Sequence, residues 1–470
     1  MPGRLLVAYS NSSNYVATTA QYLASFGRYS SWDVRYIHVT HRAEVDCDLS
    51  EYDAVLQSYC ARLPIAGCVV PGWIEALTKF RGFKILAVQD EYDNTNKLRE
   101  AIRDIGFDAV LTCVPQSQIH RVYPPHLYPA TAFLPVLTGY VPEQIAGYAA
   151  QAKPLDERDI VVGYRGRDIS PRYGRLAFDK IEIGRRMKAV CADRGIPHDI
   201  AWNEGDRLYG DAWYSWIGRC RVNLATESGS NAFDWDGLIE EECRKRNPRG
   251  PIDWQRFLEW VSPFEVGHDM GQISPRIFEA AAMGTALVLY PGRYSDVLEP
   301  DKHYIPLERD FSNIDDVLER IADVPALSAM AERAWQDLIG SHRHDYRGFV
   351  ESIDHVLDRL ARVRGVRLRE PIERPDGEPA MVDSAALRSL VERPTRQPHP
   401  PLLFSFKHIA EENARLRNAL LEQQALARAF SDRVTEQRED YEAEIARYRL
   451  QLARGHAAAR ENGDAVAISG

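Results

Sequence analysis

Cysteine is scarce. There are seven in 470 residues, an odd number running from Cys47 to Cys243 without a CxxC pair. That excludes a disulfide framework and a thiolate zinc site, and it reads as free thiols in a reducing compartment. Long apolar runs are missing too: no stretch of ~18 consecutive apolar residues occurs. The start, MPGRLLVAYSNSSNY, has one early Arg and too short an apolar run for a secretory leader. A cytoplasmic protein is expected, with peripheral association at an inner membrane as an option. There is no excess of positive charge either. Lys and Arg number 58 against 68 Asp and Glu, a net charge of −10. Nucleic acid is therefore not expected as a partner, although a local basic cleft could hold a small phosphate ligand. GxGxxG, GxSxG, HExxH and P-loop patterns are all absent, which leaves dinucleotide-enzyme, hydrolase, zinc-protease and NTPase readings without positive support.

What is present is a soluble composition, 45% hydrophobic and 27% charged, in a repeating order. Residues 1–150 alternate short apolar runs with helical stretches: RLLVAYS, VRYIHV, AVLQSY, KILAVQ, AVLTCV and ATAFLPV. Runs of this length with little polar alternation suit strands buried on both faces, and the rhythm predicts a doubly wound parallel sheet. A second cycle covers 155–345, opening with IVVGYRGR and a long helix from about Gly174 to Arg194. A helix over 346–365 is expected to cross back to the first domain. The fold class is thus α/β, two facing Rossmann-like domains with a cleft between them. Beyond them, 366–401 carries seven prolines and reads as a linker. Residues 402–455 lack Pro, and Asn413, Leu416, Leu420, Gln423, Ala427, Phe430, Val434, Gln437, Tyr441 and Tyr448 follow a four-three spacing. That seam predicts a coiled coil and a homo-oligomer through 402–452, followed by a disordered tail over 456–470.

The densest chemistry lies in GHDMGQISPRIFEAAAMGTALVLYPG, residues 267–292. Ser274 suits an N-cap and Pro275 the first helical position. Gly271 and Gln272 precede them in a loop whose amides could approach a ligand. A Gly-bearing loop feeding a helix N-terminus is an anion site, and Arg276 on the first turn adds a cation. Glu279, three or four residues in, is placed to accept from ribose hydroxyls. This run, with RYSDVLEPDKHYIPLERDFSNIDDVLERI after it, resembles the donor-binding domain of bacterial group 1 glycosyltransferases of the GT-B fold. The similarity is to the branch of spore-maturation-type and surface-polysaccharide transferases, and it covers residues 1–365. It implies transfer of a sugar from a nucleotide-diphosphate sugar, the co-substrate, to a glycan or protein acceptor in surface glycan or glycoprotein synthesis. No cofactor is implied. Many retaining members carry an acid eight positions before Glu279; here that position is Gly271.

Other candidates surround that run. Arg165, and after it Arg167, end the first strand of the second domain, where a basic residue in the family neutralises the donor diphosphate. Glu227 and Asn231 sit in the polar loop TESGSNAFDWDG, as contacts for a base or sugar. The acids Glu227, Asp234 and Asp236 read as hydroxyl acceptors, so no metal is expected. In the first domain Asp90 and Glu91 follow a strand; either could act as general base, bind acceptor hydroxyls or cap the next helix. His268 is a candidate for acid–base work or a diphosphate contact. Ser12 and Asn14 would face the acceptor. Three other readings stay open: a sugar-nucleotide epimerase of the same fold, a non-catalytic transferase-like scaffold oligomerised by its coiled coil, and a nucleotide-binding regulator.

Overall fold

Among the described residues, eleven short strands form two parallel sheets. The computed structural model describes residues 3–371 apart from 14–15, 42, 44, 46–48, 168, 247–253 and 268. The Pro-rich linker, the 402–452 seam, the 456–470 tail, Asn14 and His268 lie wholly or largely outside the described residues. Sheet one holds β1 (Arg4–Tyr9), β2 (Asp33–His38), β3 (Ala54–Gln57), β4 (Phe83–Ala87), β5 (Ala109–Thr112) and β6 (Ala132–Pro135) in the order β2-β1-β3-β4-β5-β6. Sheet two holds β7 (Ile160–Arg165), β8 (His198–Ala201), β9 (Cys220–Ala225), β10 (Ala286–Leu289) and β11 (Ile305–Pro306) in the order β11-β10-β9-β7-β8. Every ladder in both sheets is parallel.

The apolar runs form strands because helices cover both faces of each sheet, leaving no wet face that would demand polar alternation. In sheet one, Leu6, Ala8, Val55 and Val110 join one core with Trp73, Leu98 and Ile102 from flanking helices. Leu5, Val7, Leu56 and Leu111 face a second core with Tyr22 and Phe26. The long helix of the second domain runs Gly174–Asp193. The helix Tyr346–Arg364 packs on the first domain: Tyr346, Phe349, Val350, Ile353 and Leu357 complete its second core. Asp345 caps that helix through the Gly348 amide at 2.9 Å, and Asp354 accepts from Ser30 and Ser31 at 2.7 and 2.6 Å. The start of the crossing helix is therefore capped, and its middle is tied to the first domain.

The strand order puts the reversal of winding beside β1 in sheet one and between β7 and β9 in sheet two. In open α/β sheets ligands bind at the carboxyl ends of strands near such points. The two carboxyl edges meet. Thr138, past β6, donates its hydroxyl to the Ile273 carbonyl at 2.5 Å, and Gly139 lies against Pro275 so closely that a Cβ there would be 2.6 Å from its ring.

Candidate functional site

The helix Pro275–Ala282 starts where the two carboxyl edges face each other. Ser274 has the extended backbone of an N-cap, but its hydroxyl makes no capping bond, so the expected side-chain cap is not formed. Pro275 has no N–H and the Ile277 amide donates to the Ser274 carbonyl at 2.9 Å, which leaves the Arg276 amide and the positive end of the helix dipole at the cleft. Gln272 is pinned behind them. Its backbone exchanges two hydrogen bonds with Ser228, at 2.7 and 2.9 Å, and its side chain bonds Ser295 and the Met270 carbonyl. The loop before the helix is thereby preset rather than loose.

Cations gather at this helix start. Arg276 lies over Trp213 and donates to the Arg165 carbonyl at 2.6 Å, and burial holds its guanidinium below the usual range. Lys180, from the Gly174–Asp193 helix, donates to the Ser228 hydroxyl at 3.2 Å. Burial first, then the positive charges of Arg276 and Arg167, push its ammonium down to about 8, with Asp90 opposing. Desolvated like charges close enough to repel are costly alone and are relieved by an anion. Lys180 is the residue that sequence reasoning passed over. The signal was there: Ala177, Lys180, Gly184, Met187 and Cys191 follow a helical stripe, and the four others are buried. A lysine on a buried stripe asks for a partner.

Two expected donor contacts are engaged elsewhere. The Arg165 guanidinium turns toward β8, bonding Asp199 at 2.6 Å and stacking on Trp216 at 4.5 Å. That bond holds the Asp199 carboxyl below the usual range. Glu279 is buried and accepts from the Trp213 indole at 2.8 Å; burial raises its carboxyl despite Arg276, Trp213 and Tyr214. It fixes Trp213, which carries Arg276 on its face, and does not reach open space. Asn231 is likewise structural in its contact, its side-chain oxygen accepting from the Met270 amide at 3.1 Å. Glu227 is different. It stands at the carboxyl end of β9, accepts from the amides of Arg293 and Tyr294, and is raised by burial in the face of both bonds.

From the first domain, Asp90 is an acid whose charge bears on Lys180, and its side chain is 42% exposed. It accepts from the Tyr92 hydroxyl at 2.7 Å and lies 3.6 Å from Arg62. It caps no helix: the next one starts at Thr95 behind Asn94. Its neighbour Glu91 points the other way, into the sheet, where the Thr112 hydroxyl and the Cys113 amide bond it. Burial pushes Glu91 up to about 7. Adjacent acids thus divide, one toward the cleft and one into the core. Ser12 follows β1 and shares a 3.1 Å bond with exposed His41.

Segment 226–273 ties the two halves. Phe233 and Met270 are buried in the first domain's core, and Asp234 exchanges backbone bonds with Tyr92 and Thr95. Asp93, only 5% exposed at its side chain, pairs with Arg62 of its own domain and Arg172 of the other. Asp236, read from the sequence as a hydroxyl acceptor, bonds Asn96. Among the described residues, no group of three or more His, Cys, Asp or Glu is arranged to hold a metal ion, and no helix is long and apolar enough to cross a membrane.

No protein-family model matches the chain, and no curated protein matches it in sequence. Among solved structures it is similar to sucrose-phosphate synthase from Thermosynechococcus elongatus, at 10% identity over 77% of this chain and 100% of that one, with a TM-score of 0.42. Anabaena HepE in complex with UDP gives 13%, 77%, 100% and 0.42. Trehalose 6-phosphate synthase from Burkholderia multivorans gives 14%, 79%, 100% and 0.38. At such values the functional reading rests on this chain's own residues.

Proposed function

We propose that the chain is a glycosyltransferase of the GT-B type that takes its sugar from a nucleoside-diphosphate donor. One observation carries the reading: a helix N-terminus, Arg276 and Lys180 converge, with Arg167 near, at the meeting edges of two parallel sheets. Such a site suits a diphosphate. As the glycosidic bond of a donor breaks, negative charge builds on the leaving diphosphate, and preset amides and desolvated cations stabilise it more than they stabilise the ground state. Arg167 stands beside Lys180 in this role. The Arg165 side chain acts as a brace, its carbonyl anchoring Arg276. Gly271 and Gln272 set the approach to the helix, and Ser274 begins it.

Asp90 is the acid across the cleft with an exposed carboxylate, and it is the residue to accept a proton from an acceptor hydroxyl or to hold that hydroxyl. Ser12 lines the same side. Glu91 supports the strand end behind it. The acceptor is a glycan or protein carrying a free hydroxyl, in keeping with surface glycan or glycoprotein synthesis; the seam at 402–452 would bring copies of the chain together.

The test is a thermal-shift panel of UDP, GDP, dTDP and CDP with their common sugar esters. One base is expected to stabilise the wild type, and Lys180→Ala and Arg276→Ala to lose most of that stabilisation. No shift with any nucleotide would remove the transferase reading.

A further inference from the structure

Resting on that transferase reading, we propose that Glu227 reads the sugar of the donor, presenting one carboxylate oxygen to sugar hydroxyls beside the diphosphate site. A hollow is built around this side chain. A Cβ on Gly271 would lie 2.3 Å from Glu227 Cδ and 2.4 Å from Oε2, and one on Gly292 would lie 2.6 Å from Cδ. Neither glycine has a positive φ, so backbone conformation is not what demands glycine there. The demand is the carboxylate itself. Two loops far apart in sequence, one leading into the Pro275–Ala282 helix and one leaving β10, are both bare of side chain at this one spot.

The two oxygens have different surroundings. Oε1 accepts from the amides of Arg293 and Tyr294 at 3.0 and 2.8 Å, which fixes the carboxylate plane. Oε2 accepts no hydrogen bond among the described residues, while the charges of Arg309 and Arg293 favour the ionised carboxylate. A carboxylate offers about four acceptor positions, so holding one loop leaves capacity unused. The next residue, Ser228, accepts from Lys180, so the acid stands one residue from a cation of the diphosphate site. Its charge also selects what sits there. A carboxylate repels a further phosphate and accepts well from hydroxyls, which favours a sugar ester over a nucleoside triphosphate.

The experiment is titration calorimetry on the whole chain. UDP would be compared with UDP-glucose, UDP-galactose and UDP-N-acetylglucosamine, and GDP with GDP-mannose. Glu227→Gln keeps an oxygen for the two amides and turns an NH2 group outward. Gly292→Ala pushes the carboxylate from its hollow. The wild type is expected to bind one sugar ester about tenfold more tightly than its parent nucleotide, the worth of one charged hydrogen bond. Both variants should bring that preference to within about twofold while free-nucleotide affinity holds to within about threefold. Parallel loss of nucleotide and ester would make Glu227 a loop tie only and overturn the proposal, as would an unchanged preference. A wild type that binds a nucleotide without preferring any ester overturns this proposal alone; one that binds no nucleotide overturns the transferase reading with it. Should Gly292→Ala fail to fold, the near-isosteric Glu227→Gln decides.

Discussion

Lys180 carries the sharpest residue-scale consequence. Its ammonium is lowered to about 8 by burial and by Arg276 and Arg167. An anion bound against it favours the charged form, so nucleotide binding takes up a proton near that pH, and affinity falls as pH rises above it. Calorimetry in buffers of different ionisation enthalpy is expected to show the uptake in the wild type and not in Lys180→Arg. A second residue, Glu91, shapes stability. Its folded-state value, about 7 against an ordinary carboxylate value of 4.5, means the unfolded chain releases a proton that the folded chain keeps. Its contribution is therefore full below the unfolded value and is lost as pH rises through about 7. Glu91→Gln should flatten that loss in chemical denaturation between about pH 5 and 8, by an amount on the order of 3 kcal/mol at the alkaline end. An unchanged slope would mean that Glu91 is ionised in the fold.

At the scale of elements, the strands and helices were legible because each obeys a local rule. AVLQSY and KILAVQ are apolar runs flanked by turns, and they become β3 and β4; SPRIFEAAA carries Pro where a helix begins. What local rules do not reach is the partner of a polar side chain. The Ser/Asn-rich loop after β9 reads as a ligand surface, yet Phe233 within it is buried in the other domain's core. Glu279 reads as a ribose contact by its place on the helix, and Trp213, 66 residues away, takes its carboxylate. Arg165 is taken by Asp199 in the same manner. The loops that carry the candidate residues were legible, while Lys180 and the Glu227 hollow needed the tertiary fold. The segment 226–273 also predicts a mechanical property. Asp93 joins Arg62 and Arg172 across the two domains with little exposure. Asp93→Asn leaves two desolvated cations short of a charge and should cost about 3 kcal/mol in denaturant unfolding. Substitution of exposed Glu75, paired with Lys79 on the surface, should cost little.

For the molecule as a whole, the account makes one cleft the place where both sheets, the inserted segment and the crossing helix act together. The 346–364 helix locks onto the first domain, so the second domain is held at two points, by this crossing and by segment 226–273. The most direct test follows amide hydrogen exchange in the intact chain with UDP, GDP, dTDP and CDP in turn. The account predicts that one of them protects the amides of Arg276, Ile277 and Phe278 together with the 177–181 turn around Lys180. Exchange there that no nucleotide slows, or protection confined to some other part of the chain, would contradict it.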